Sequence, residues 1–352
     1  MKVLALAADD GGCGFYRMRA PAEEASRLGV EITVTNGIDA DATRDAEGFV
    51  TVHQVNTDAD LIISQRPLDN SMGAVLKQAR RQGIATIVEL DDDFSSVHQD
   101  NIAYQYMHLK TSGNKFIEDA CKYADHVTVS TPQLLKYARH GRGSVLRNNV
   151  PQSIFDAVDA KSSNPYPRIG WTGSVQTHPN DLQETKGSLA NILTSHNLPF
   201  NVVGDGTLVH RNLNLNKGTD VYATGWVELN AYYQYLKTFL DIGIVPLELT
   251  PFNQAKSALK GLEYAALGIP FVASPTREYE RLEAYGVGKT AKTPGEWRKH
   301  LQRMIDRPEE TERIGKEYRD RIEAEFTYRV NAPQWIEAWE KAIDYRKTHP
   351  HE

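Results

Sequence analysis

Cysteine is almost missing: the 352 residues hold only Cys13 and Cys121. Neither has neighbours at the spacing of a zinc site or a disulfide framework, so a reducing compartment is expected. No stretch of about 20 apolar residues occurs, which leaves no predicted membrane span. The opening segment has one lysine and a short apolar run that meets Asp9 and Asp10 at once, too little for a signal peptide. A cytoplasmic protein is the expectation. Charge of one sign is missing as well: Lys and Arg number 40 against 46 Asp and Glu, a net charge of −6, with no block of five or six like charges. Whole-surface attraction to nucleic-acid phosphates is therefore not expected, while a local basic cleft stays open. Internal repeats and low-complexity tracts are also absent.

What is present is an ordinary globular composition, 40% hydrophobic and 24% charged. At about 150 residues per domain the length suggests two domains. Unbroken apolar runs at Val3 to Ala8, Ile32 to Val34, Leu61 to Ser64, Ile84 to Leu90 and His126 to Val129 read as strands buried on both faces. They alternate with helical stretches, among them Met72 to Arg81 and Asn114 to Tyr123, as in a parallel α/β sheet. The segment Lys161 to Pro167, with two prolines, is the best linker. Strand-like runs then restart at Arg168 to Trp171, Phe200 to Val203, Val221 to Ala223, Ile242 to Val245 and Phe271 to Ala273. The division is thus 1–160 and 161–332. Beyond Pro308 the chain is helical in pattern, and the stripe Trp335, Ile336, Trp339 suggests that a final helix, 333–352, packs back on the first domain.

Four clusters offer chemistry. Gly11-Gly12-Cys13-Gly14-Phe15-Tyr16-Arg17 follows the first strand, where backbone N–H groups and a helix dipole favour an anion such as a diphosphate, with Arg17 and Arg19 adding charge. The dinucleotide spacing G-x-G-x-x-G is only half met, because Arg17 stands where the third glycine belongs. Asp91-Asp92-Asp93 ends a strand, with His98 nearby, at the edge where open α/β sheets bind ligands. Repelling carboxylates there suit a divalent metal between Asp91 and Asp93, sugar hydroxyls or general-base work. Gly170-Trp171-Thr172-Gly173-Ser174, followed by His178 and Asp181, repeats the glycine-turn logic in the second domain.

The fourth cluster, Phe252 to Pro270, reads as a helix capped by Asn253 or Ser257 and ended by Gly268. Lys256, Lys260 and Glu263 fall at i, i+4 and i+7, which places two cations and a carboxylate on one helix face.

These motifs resemble the retaining glycosyltransferases of the GT-B fold, two Rossmann-like domains facing each other across a cleft, and in particular glycosyltransferase family 4. The resemblance is carried by the N-terminal glycine turn, Val129-Ser130-Thr131, Val145 to Val150, Gly225-Trp226-Val227, and above all Asp241 to Pro246 with Lys256 to Pro270. The Cys13-Gly-Phe-Tyr-Arg17 segment, the triple aspartate and the Lys-Ser-x-x-Lys-x-x-Glu pattern look like enzymes encoded by bacteriophages, which would act in the host cytoplasm. The resemblance implies transfer of a sugar, with retention, from a nucleoside-diphosphate sugar, UDP- or GDP-linked by preference, without an essential metal or other cofactor. It implies Glu263 on the ribose hydroxyls and Trp226 with Val227 on the nucleobase. The family's sugar-binding glutamate falls on Ala255, so Lys256 or Asn253 inherits that contact. The family's diphosphate-binding basic pair has no counterpart except Lys186. Its duty passes to Lys256, Lys260 and Arg17, with Ser174, Ser257 and backbone donors of Gly12, Gly14 and Gly173. Asp91, Asp92 and Lys256 are the expected catalytic groups. The acceptor is open among modified phage DNA, virion protein and glycan, and a nucleotide-sugar epimerase or hydrolase and a non-catalytic binding module of the same fold are the rival readings.

Overall fold

The computed structural model describes residues 1–110, 112–157 and 167–350. The continuous apolar runs in the sheet interiors become strands with both faces covered, because crossover helices pack on both sides of a parallel sheet, whereas the edge strands Glu31–Thr35 and Val221–Ala223 stay partly exposed. Strands β1 (Lys2–Leu6), β2 (Glu31–Thr35), β5 (Leu61–Gln65), β6 (Ala85–Leu90), β7 (His126–Val129) and β8 (Gly143–Val145) form a parallel six-stranded sheet in the order β2-β1-β5-β6-β7-β8. A separate antiparallel hairpin, β3 (Ala40–Arg44) and β4 (Val50–Val55), lies between β2 and β5 in sequence. The second sheet is parallel too: β9 (Ile169–Gly173), β10 (Phe200–Gly204), β11 (Val221–Ala223), β12 (Ile242–Val245), β13 (Phe271–Ala273) and β14 (Lys289–Thr290), in the order β11-β10-β9-β12-β13-β14.

Each order reverses beside its first strand, β1 or β9, and such switch points open a crevice at the carboxyl ends of the strands. The loops after β1, β6, β9 and β12 gather there. Of the predicted linker, all but Pro167 lies outside the described residues, as do the boundary at 160/161 and the last two residues. The final helix is Tyr328–Thr348, with Pro333 inside it. Its Trp335, Ala338, Trp339 and Ala342 share one core with Ala20, Ala25, Ile63 and Ile87, and Arg346 donates to Asp125, with Nη2 at 3.0 Å from its Oδ1.

Candidate active site

The loop after β1 enters a helix directly. Gly11 is the N-cap of Gly12–Gly14, a π-helical turn Phe15–Arg19 follows, and Ala20–Arg27 completes the helix. The Asp9 carboxylate accepts the N–H groups of Gly11 and Gly14, each at 3.0 Å. Part of the anion-binding capacity predicted for this turn is therefore used internally. Gly14 does not line the cleft and its N–H is taken by Asp9, and a Cβ there would stand 1.9 Å from the Asp9 carbonyl oxygen, so packing requires glycine. Arg17 is also corrected. It is 1% exposed, its Nε donates to Glu89 at 2.7 Å, its Nη1 donates to Leu146 O and Asn148 Oδ1, and its guanidinium lies over Trp335 at 4.6 Å. Buried and so engaged, it organises the first domain rather than offering a free charge to a phosphate.

Of the three aspartates after β6, Asp91 and Asp92 line the cleft and Asp93 does not. Asp93 accepts from Ser95, Ser96, Lys136 and Tyr137. A metal shared by Asp91 and Asp93 does not fit that arrangement. Among the described residues no three His, Cys, Asp or Glu side chains come together as metal ligands. His98 is half exposed beside Asp100 and away from the cleft.

On the second domain, Gly173 (φ 142°) and Gly204 (φ 136°) end β9 and β10 in conformations closed to side chains. A Cβ on Gly204 would come within 2.4 Å of Gly173 O, so the pair keeps two strand ends close at the cleft. Ser174, which lines the cleft, donates to Asp205 at 3.2 Å.

The lysine segment departs from the predicted single helix. Thr250 caps a short helix Pro251–Gln254, and a second helix, Leu259–Ala266, follows after a break. Lys256 therefore sits in the break, and Lys260 and Glu263 on the second helix. All three still line the cleft. Neither Asn253 nor Ser257 caps a helix. Asn253 is buried and holds Asp181 Oδ1 at 2.8 Å and Glu248 O at 2.9 Å, outside the cleft lining. Ser257 lines the cleft and accepts from Asn148 Nδ2 at 2.8 Å. Ala255 is buried in the first domain's core with Phe252, and its carbonyl accepts from Thr131 Oγ1 at 2.7 Å. Lys186 is on the surface, donating to Lys292 O.

The cleft has a volume of about 570 Å³. Lys256 Nζ donates to Asp92 Oδ1 across it at 3.1 Å. Against the cost of burial, that carboxylate raises Lys256, which stays protonated, while burial raises Asp92. Lys260 Nζ donates to His178 Nε2 at 3.3 Å, and His178 Nδ1–H donates to Asp181 Oδ2 at 2.6 Å. Burial, with Lys260 alongside, lowers His178 to about 4, so the ring is neutral and free to accept from the lysine. Burial and the Lys256 charge bring Lys260 down to about 8. Glu263 accepts from Tyr16 Oη at 2.5 Å and Tyr232 Oη at 3.1 Å, and burial pushes its carboxyl up to about 7. Trp226, at the rim, is 76% exposed, with Val227 beside it.

Sequence reasoning missed Tyr16, Tyr232 and Tyr233 as a cluster around Glu263, Asp9 as the internal cap, and the link from Arg17 through Asn148 to Ser257. The adjacent pair Tyr232-Tyr233, on the helix Leu229–Phe239, was the one available signal.

Residues 188–337 match the family model described as glycosyl transferase-like. No curated protein matches the chain. Among solved structures, a sucrose-phosphate synthase from Thermosynechococcus elongatus is similar with 17% identity and a TM-score of 0.64, over 98% of this chain and 100% of that one. A UDP-forming α,α-trehalose-phosphate synthase from Burkholderia vietnamiensis aligns with 10% identity and a TM-score of 0.61, over 99% of this chain and 100% of that one. HepE from Anabaena, solved in complex with UDP, aligns with 12% identity and a TM-score of 0.60, over 97% and 100%. The chain has the GT-B fold of two Rossmann-like domains, and its residues 188–337 match a glycosyl transferase-like family.

Proposed function

We propose that the protein is a glycosyltransferase that moves a sugar from a nucleoside-diphosphate sugar to an acceptor hydroxyl with retention of configuration. The observation that carries the reading is the pair Lys256 and Lys260, brought into one cleft with the Glu263 carboxyl and the exposed Trp226. Those groups suit the parts of such a donor: cations for the diphosphate, a hydrogen-bonding carboxylate for ribose hydroxyls, and an exposed aromatic face for the base. The glycosyl transferase-like match of residues 188–337 and the UDP complex of a structural neighbour support it.

In the reaction the bond from the anomeric carbon to the diphosphate breaks, and the diphosphate keeps the electron pair. Lys256 and Lys260 offset that developing charge in a partly dry site, where fixed charges act most strongly. The acceptor oxygen bonds to the face that the diphosphate leaves, and its proton passes to the departing phosphate oxygen or to Asp92. Lys256, already poised against Asp92, is the residue that stands between the two substrates.

Thermal shift and calorimetry with UDP-, GDP-, ADP- and TDP-sugars, with and without EDTA, test the donor. Metal-independent stabilisation by one nucleotide, lost in Lys256→Ala and in Glu263→Gln, is expected. Stabilisation by none of them overturns the reading.

A further inference from the structure

One tyrosine hydroxyl joins the first domain to the carboxyl of the second. Tyr16 is buried, and its Oη donates to Glu263 Oε1 at 2.5 Å. That hydroxyl has a single hydrogen, so the 2.7 Å contact between Tyr16 Oη and Tyr233 Oη is a bond that Tyr233 donates. The chain of donation runs from Tyr233 to Tyr16 to Glu263. Tyr232 donates to the other carboxylate oxygen at 3.1 Å. An ionised carboxyl offers about four acceptor positions, so two stay open after both tyrosines are served, on a side chain that lines the cleft. The local backbone aims Tyr16 outward. It lies in the π-helical turn Phe15–Arg19, and such turns recur at functional sites. Neighbouring side chains part there, Arg17 going to Glu89 in its own domain and Tyr16 to the second domain. Tyr328 of the final helix holds the Tyr16 carbonyl.

We propose, on the reading of Glu263 as the ribose contact, that Tyr16 is a positioning residue for the donor: its hydroxyl holds the Glu263 carboxylate so that the two open acceptor positions meet the ribose hydroxyls. Because the tyrosine and the carboxylate belong to different domains, the ribose contact is complete only with the domains together. Burial works against the carboxylate and pushes it up to about 7, while the hydrogen bonds from Tyr16 and then Tyr232 oppose the rise. Around it stand Tyr16, Tyr232 and Tyr233, Tyr264 and Lys260 on its own helix, Tyr279 from the helix Arg277–Ala284, and Tyr328. Of these groups Lys260 alone carries charge, so hydroxyls do most of the work of keeping Glu263 ionised.

Tyr16→Phe tests this, since it keeps the ring and removes the hydroxyl. Protein labelled with carbon-13 at the glutamate carboxyls is titrated without donor, and the Glu263 resonance is identified by its loss in Glu263→Gln. In Tyr16→Phe the midpoint of that resonance is expected to rise by about one pH unit, the size of one hydrogen bond to a charged group. The acid limb of kcat/KM for the donor should rise with it, while kcat at saturating donor changes less. Tyr233→Phe, which takes a bond from Tyr16 and none from Glu263, should move the midpoint less. Should Tyr16→Phe lower the melting temperature, the double variant with Tyr233→Phe, which removes both hydroxyls, is read in the same way. An unmoved midpoint overturns the proposal, and so does a raised midpoint with an unmoved acid limb, which would leave Tyr16 a purely structural contact. Nucleotide stabilisation is measured on the unmodified chain: its absence brings down the donor reading and this role with it, whereas an unmoved midpoint in a chain that a nucleotide does stabilise fails the role of Tyr16 alone.

Discussion

Into the cleft the second domain presents Lys256 and Lys260 while the first presents Asp10, Asp91 and Asp92, although both walls are made of the same thing, loops and helix starts that follow parallel strands. The fold fixes where ligands gather, and the loops fix what they are. The second wall is cationic because a buried His178–Asp181 pair accepts from one lysine and Asp92 accepts from the other. The first wall carries carboxylates with cations set behind them, Arg19 against Asp10 and Arg66 against Asp91, while Arg17 is spent on Glu89. One architecture thus carries two electrostatic surfaces, suited to two chemically different substrates.

The contrast is broken most severely at Lys256. Lys256→Ala is expected to lower turnover about 100- to 1,000-fold, the usual loss for one fixed donor at a developing charge. Because the substitution leaves Asp92 buried without its partner, the double variant with Asp92→Asn controls for stability. It should recover the melting temperature and not the turnover. The next effect is in pH. Lys260 loses its charge above about 8 and Glu263 is protonated below about 7, so kcat/KM for the donor is expected to peak between those values. Lys260→Arg should remove the alkaline limb and Glu263→Gln the acid limb, as read from full pH profiles. Trp226→Ala should weaken nucleotide binding about tenfold, a typical stacking loss, and leave thermal stability unchanged because the side chain is exposed. His178→Gln sharpens the comparison most gently. With Lys260 less well held, KM for the donor should rise a few-fold, about the value of one hydrogen bond, while kcat changes less; a fall in kcat alone would place His178 in the chemistry instead.

The inner strands of both sheets were legible because burial on two faces writes unbroken apolar runs such as Leu61 to Ser64 and Ile242 to Val245, whereas the short edge strands Gly143–Val145 and Lys289–Thr290 write none. The hairpin of β3 and β4 was not legible: most of its residues face solvent, and Ala40–Arg44 has no apolar alternation to read. At the site, Lys256, Lys260 and Glu263 were found by spacing on a helix that proves to be broken between Gln254 and Leu259. Residue types carried the reading where the element did not. What spacing could not show is which groups are already satisfied. Nothing local in the sequence says that Glu89 takes Arg17 or that Lys136 takes Asp93, since those partners lie 72 and 43 residues apart. A sequence lists donors and acceptors, and only the fold pairs them.

The final helix carries a consequence for how the chain reaches this state. Tyr328 donates to the carbonyl of Tyr16, Trp335 lies on Arg17, and Arg346 meets Asp125, across separations of as much as 312 residues. A ribosome delivers the first sheet long before it delivers that helix. Until Tyr328–Thr348 has been synthesised, the helix Ala20–Arg27 and β6 lack the apolar cover they have in the finished protein, and Asp125 lacks Arg346. Contacts of such long range are slow to close and leave the partly made chain prone to association. The first domain is begun first and completed last.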